Sequence, residues 1–176
     1  EPMLDLGLFR SGTVRGALVA QLATAIAMAA VMFALVLQFQ YAYGWSPMKA
    51  GLANLPFIVT MLAASPVAES LVTRLGHRAA CLIGSVLLAG SLGGMAFAVE
   101  YGYLAIAAFM VTFTVGLRVV MTTCAVALVD AMPSNRTSLG TSLNDTAQEV
   151  GTSIGTAFIG TMIAVLVSTL LPAGEW

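Results

Sequence analysis

Hydrophobic residues in this chain come in long runs, with the charged residues gathered between them. No charge occurs over residues 16–48, 50–68, 79–99 or 150–174, runs of 33, 19, 21 and 25 residues. A fifth run, the 29 residues of 101–129, is interrupted by Arg118 alone. The hydrocarbon core of a bilayer takes about 20 apolar helical residues to cross. The pattern therefore predicts five membrane-spanning helices, near 17–40, 51–73, 79–99, 103–131 and 138–170. Period-two alternation is missing, and backbone in lipid must satisfy its own hydrogen bonds, so open strands are excluded as spans. Pro56 and Pro66 fall inside the second span and predict bends, which membrane helices tolerate because neighbours satisfy the freed carbonyls. The expected fold is all-α, a polytopic transmembrane helix bundle over residues 1–176.

Composition agrees. The chain is 59% hydrophobic and 9% charged, with a mean hydropathy of +0.95; a soluble domain carries about 25% charge. The lipid bilayer is thus the first partner. A net charge of −1 excludes a nucleic-acid partner. The chain opens on Glu1 rather than Met and reads as a piece of a longer protein. No HExxH, second His or nucleophile–base arrangement accompanies His77, so neither an enzyme, a metal site nor a cofactor is expected. His77, between Gly76 and Arg78, reads as a solvated loop residue, and Cys81 and Cys124 as small apolar residues. The ten methionines read as ordinary membrane packing.

Alternating spans put Arg10, Arg15, Arg74, Arg78 and Arg136 on one side and Lys49 alone on the other. The positive-inside rule makes the first side cytoplasmic, with the N-terminus inside and the C-terminus outside. Tyr41, Tyr43, Trp45, Tyr101, Tyr103 and Trp176 all fall at span ends on the opposite side, where an interfacial aromatic belt is expected. Glu69, Arg74, Arg78 and Asp130 are near enough to boundaries to reach water.

Three charges have no such escape. Arg118 falls near the middle of the fourth span, and Asp145 and Glu149 two to three turns into the fifth. A charge near the bilayer centre costs at least roughly 2.5–3.5 kcal/mol and is tolerated where it faces protein or water. Thr114, Arg118 and Thr122, at i, i+4 and i+8, form one stripe. Asp145, Gln148, Thr152 and Thr156 lie within about 80° of one another around a helix, with Glu149 at their edge. Two striped helices predict a shared hydrophilic path. At 1.5 Å per residue Arg118 lies roughly 20 Å deep, Glu149 roughly 16 Å and Asp145 roughly 10 Å. That predicts an Arg118–Glu149 pair and leaves Asp145 to exchange a proton; a pair that merely fixes helix packing is the competing reading. Gly90-x-x-x-Gly94 and Gly151-x-x-x-Gly155 predict close helix approaches.

The segment Leu4-Asp5-Leu6-Gly7-Leu8-Phe9-Arg10, then Gly44-Trp45-Ser46-Pro47, Ala50-Gly51-Leu52 and Leu55-Pro56, resembles the major facilitator superfamily, in particular its fourteen-helix drug:proton antiporter branch. Ser65-Pro66 followed by Arg74-Leu75-Gly76-His77-Arg78 is similar to the superfamily's cytoplasmic signature loop, G-x-L-x-D-R-x-G-R-R. Leu71, Arg74, Gly76 and Arg78 match it, while Glu69 and Thr73 stand in place of its first glycine and its aspartate. Ser142-Leu143-Asn144-Asp145-Thr146 with Gly151 and Gly155 is similar to the branch's penultimate helix. The resemblance implies the first five helices of a C-terminal six-helix domain, with the N-terminal half a missing partner. In that fold the first, second, fourth and fifth helices line a central cavity. Candidate substrate-pathway residues are then Gln21, Thr114, Thr122, Gln148, Thr152 and Thr156, and candidate proton-coupling residues Asp145, Glu149 and Arg118. The implied protein is a secondary transporter of the cell (plasma or inner) membrane. It would export a small amphipathic, drug-like substrate by alternating access, driven by protons. The rival class is a five-helix membrane scaffold without transport, for which charges inside spans have no use.

Overall fold

The structure is a computed structural model that describes residues 11–132 and 137–170, with backbone alone over 166–170. The segment Leu4–Arg10, Arg136 and Trp176 lie outside the described residues. Every element among the described residues is helical. Helix α1 (Gly12–Leu37) runs on as a π-helical turn over Gln38–Ala42. Short helices α2 (Pro47–Leu52) and α3 (Leu55–Ala63) precede α4 (Ser65–Ala98) and a 3-10 turn, Val99–Tyr101. Helices α5 (Tyr103–Asp130) and α6 (Thr137–Leu170) complete the bundle. Among the described residues, Gly12–Ala42, Ser65–Tyr101 and Tyr103–Asp130 are long and apolar enough to cross a membrane.

The residues expected as a second span form a broken helix. Its breaks fall at Ala53–Asn54 and at Ala64, and Pro56 and Pro66 each sit in the first turn of the helix that follows. Proline costs least there, since first-turn N–H groups have no intrahelical partner. The Asn54 side chain repairs part of the damage, its Nδ2 donating to Ala50 O at 3.0 Å. Inside α4, Gly76 stands at φ 77°, ψ 166°, a conformation that glycine adopts at little cost. The chain turns there between the expected second and third spans.

Beyond Gly76, α4 packs along α5. Gly84 lies against Gly116 O and Val120, and Gly94 takes the ring of Phe109. Buried Ile106, Met110, Phe113, Leu117, Val120 and Cys124 recur along α5 at alternating steps of four and three, the spacing of a helix seam that meets its neighbours at a shallow angle. Helix α6 lies mainly on α1. A Cβ at Gly151 would stand 2.7 Å from Leu22 O, and one at Gly155 2.6 Å from Ile26 O, so this pair of glycines does permit the expected close approach. The other pair does so by half, because Gly90 faces open space.

The two ends of the bundle differ. At one, Phe39, Tyr43, Trp45 and Tyr103 stack on one another with ring centroids 5.3–6.1 Å apart. The Tyr103 hydroxyl donates to Ala53 O at 3.1 Å, and Lys49 Nζ sits 4.2 Å over the Trp45 ring. Of the expected aromatic belt, Tyr41 and Tyr101 are exposed, whereas Tyr43, Trp45 and Tyr103 turn inward. They lock the start of α2 to α5 rather than facing the interface.

Candidate functional site

Helix α6 has two unlike faces. Ala147, Gly151 and Gly155, one turn apart, are buried, the two glycines against α1. Asp145, Glu149, Thr152 and Thr156 project between about 100° and 160° from the middle of that face, at 100° per residue. Asp145, Glu149 and Thr156 are exposed, and Thr152 and Gln148 half-buried. Thr152 and Thr156 turn their hydroxyls back onto the helix, donating to Gln148 O and Thr152 O at 2.9 Å each. Asp145 accepts a 3.4 Å bond from Asn144 Nδ2. The stripe read from the sequence is therefore continuous, and it faces away from the rest of the bundle.

Helix α5 behaves differently, because it is the centre of the packing. Thr114 is fully buried, its hydroxyl donating to Met110 O at 2.6 Å, while Arg118 and Thr122 are half-buried. Arg118 Nε donates to Ser65 Oγ at 3.1 Å, which corrects the expected pairing with Glu149. Among the described residues no ion pair joins Arg118 to an acid; the acid–base contact present is His77–Asp130. The depths that suggested Arg118–Glu149 say nothing of azimuth, and Arg118 reaches for the break at Ala64, where Ser65 begins α4. Asp145 and Glu149 consequently both stand without a cationic partner among the described residues. The α6 stripe stands on the exposed side of its helix, whereas Thr114 of the α5 stripe is buried in the packing. Helices α5 and α6 meet where Gly140 lies against Leu128 and Met132. Gln21 on α1 is 1% exposed, and its Oε1 has no hydrogen-bond partner, so it lies inside this bundle rather than on its open side.

The Gly76 turn carries the remaining candidates. Arg74 and Arg78 are exposed on either side of it. His77, expected to be solvated, keeps its side chain 40% exposed and also meets Asp130 at the end of α5, Nε2 to Oδ2 at 3.3 Å. Its neighbours across a cleft of about 230 Å³ include Gly12 and Gly16 of α1 and both cysteines.

Comparison with known proteins fits this arrangement. The model of the Major Facilitator Superfamily matches residues 17–173. The chain belongs to that superfamily. It is 30% identical over 95 residues to the tetracenomycin C resistance and export protein of Streptomyces glaucescens, covering 54% of this chain and 18% of the relative. A methyl viologen resistance protein of Salmonella typhimurium is 31% identical over 96 residues, 54% of this chain and 19% of the relative. The matched segment thus spans under a fifth of these relatives' length. No solved structure matches the chain significantly. The superfamily is one of multi-pass membrane transporters, and the apolar helices accord with that.

Sequence reading missed three contacts in this superfamily member. Ser65 carries no signal as a partner for Arg118. The His77–Asp130 pair was legible in principle, since alternating spans bring the loop after the second and the end of the fourth to one side. The nearness of Cys81 and Cys124 depends on helix register and had no signal in spacing.

Proposed function

We propose that the chain is part of the C-terminal half of a proton-coupled exporter of small amphipathic compounds, lying in the cell membrane and working by alternating access. In such transporters two halves rock around a central site. What carries the reading is the charged stripe of α6, which lies opposite the helix's packing face and has no cation paired with it among the described residues. A carboxylate inside a membrane needs water, a partner or a proton, and an acid that gains and loses a proton as the cavity changes sides couples the two fluxes. Asp145 and Glu149 are the coupling candidates. Arg118, held by Ser65 at the helix break, sets a positive charge on the adjacent helix. Gln148, Thr152 and Thr156 supply hydrogen-bonding groups along the path, and Thr122 a further hydroxyl on α5. Similarity to proteins named for resistance and export supports outward transport, and the arginines at the Gly76 end support a cytoplasmic placement of that end.

The test uses the whole transporter in everted membrane vesicles. Asp145→Asn and Glu149→Gln are each assayed for proton-driven uptake of a lipophilic cation such as ethidium and for substrate counterflow, which needs no proton gradient. Loss of the driven flux with counterflow retained, in at least one variant, bears the reading out. Full driven flux in both variants removes the stripe from coupling.

A further inference from the structure

Two side chains that transport leaves unused meet near the His77–Asp130 end of the bundle. The antiparallel register that sets Gly84 against Val120 and Gly94 against Phe109 brings Cys81 level with Cys124. Cys81 packs against the apolar cluster that contains Cys124. Both cysteines are free thiols, Cys81 partly exposed and Cys124 buried. Both line the cleft of about 230 Å³ between α1, α4 and α5. Across that cleft α1 presents Gly12 and Gly16 beside the small side chains of Thr13 and Ala17.

From this juxtaposition we infer that Cys81 and Cys124 form a two-thiol site for a thiophilic ligand that bridges two sulfurs, of the class of trivalent organoarsenicals. The chemistry is a condensation. An arsenoxide, R–As=O, loses its oxygen as water, which takes the proton of each thiol. Two S–H bonds break and two As–S bonds form, and arsenic stays trivalent, so no oxidant is required. The second bond forms within one molecule, between sulfurs that border one cleft, and this is why a bridging ligand is held in preference to a monofunctional one. A zinc ion is the less suitable occupant, because no three His, Cys, Asp or Glu side chains converge among the described residues, and zinc sites take three or four protein ligands. The cleft has room for an aryl group beside His77 and Arg78.

The experiment treats the whole transporter in detergent with phenylarsine oxide, then washes with 2-mercaptoethanol and afterwards with 2,3-dimercaptopropanol. Intact mass reports the adduct at each step. One arsenical is expected to survive the monothiol wash and to leave with the dithiol, and Cys81→Ala or Cys124→Ala alone is expected to reduce its retention to background. Retention unchanged in either variant, or stripping of the wild type by the monothiol, overturns the inference. A second measurement needs no variant. Wild-type protein with bound arsenical is alkylated with N-ethylmaleimide and its peptides are weighed. Joint protection of Cys81 and Cys124 supports the site; alkylation of either one at the untreated level overturns it.

Discussion

Arg118 shows how much a single hydrogen bond decides in this bundle. A guanidinium half-buried in an apolar setting holds its place only if its donors are met, and here Nε is met by Ser65. Removing the hydroxyl leaves a buried donor unsatisfied, which costs about 1–3 kcal/mol. Ser65→Ala is therefore expected to lower the midpoint of thermal unfolding of the detergent-solubilised transporter by several degrees. Arg118→Met with Ser65→Ala should cost less than the two separate losses together, since neither then strands the other. Strictly additive losses would show that the bond carries no stability. That Arg118 is special was legible from its place in the middle of an apolar run. Its partner was not. Counting residues from helix ends yields depth, while the partner is chosen by rotation about the axis and by where a neighbouring helix breaks.

Helices are paired here by glycines whose missing side chains admit a neighbour's backbone. Gly151 is the clearest case. A Cβ there would stand 2.7 Å from both Leu22 O and Ala25 Cβ, and neither can move without shifting α1. Gly151→Val should force α1 and α6 apart at about 1–3 kcal/mol, the usual cost of overpacking. A Cβ at Gly90 meets nothing within 4 Å, and Gly90→Val should leave stability within about 0.5 kcal/mol of wild type, as for a surface change. Equal melting points for the two variants would contradict the packing. The hydrophobic pattern alone revealed where helices lie, because bilayer thickness leaves a long apolar run little alternative. It did not reveal that the Gly84–Gly116 crossing is tight and Gly90 idle, since small-residue spacing is common wherever glycine is abundant. Gly76 belongs to this scale too. Its positive φ lets the chain turn between the two parts of α4, and Gly76→Ala should cost about 1–3 kcal/mol through backbone strain.

The molecule as a whole is asymmetric in what its surfaces tolerate. Exposed Ile58, Val59 and Leu62 on α3, and Leu82 and Val86 on α4, form apolar surface suited to lipid and unsuited to water. Helix α6 has one flank of each kind. Val150, itself 44% exposed, borders an apolar groove with Leu18, Val19 and Leu22 of α1, while Ser142, Asp145, Glu149 and Thr156 are exposed on the polar side. If the polar side lines a water-filled path, a single cysteine at Thr156, roughly 29 Å along the helix from Thr137, should react with a charged methanethiosulfonate. A cysteine at Val150, only about 9 Å back along the axis, should not. The reaction reports water because the attacking species is the thiolate, which low-dielectric surroundings disfavour. With Cys81 and Cys124 replaced by alanine, labelling at Ser142 and Thr156 together with silence at Val150 places water along the whole stripe. Labelling at Ser142 alone would stop the water at the first turns and leave Thr156 against lipid or another helix. Nearness to the membrane surface cannot produce the full pattern, because Val150 lies between the two reactive positions. What separates the three sites is the side of α6 on which each stands.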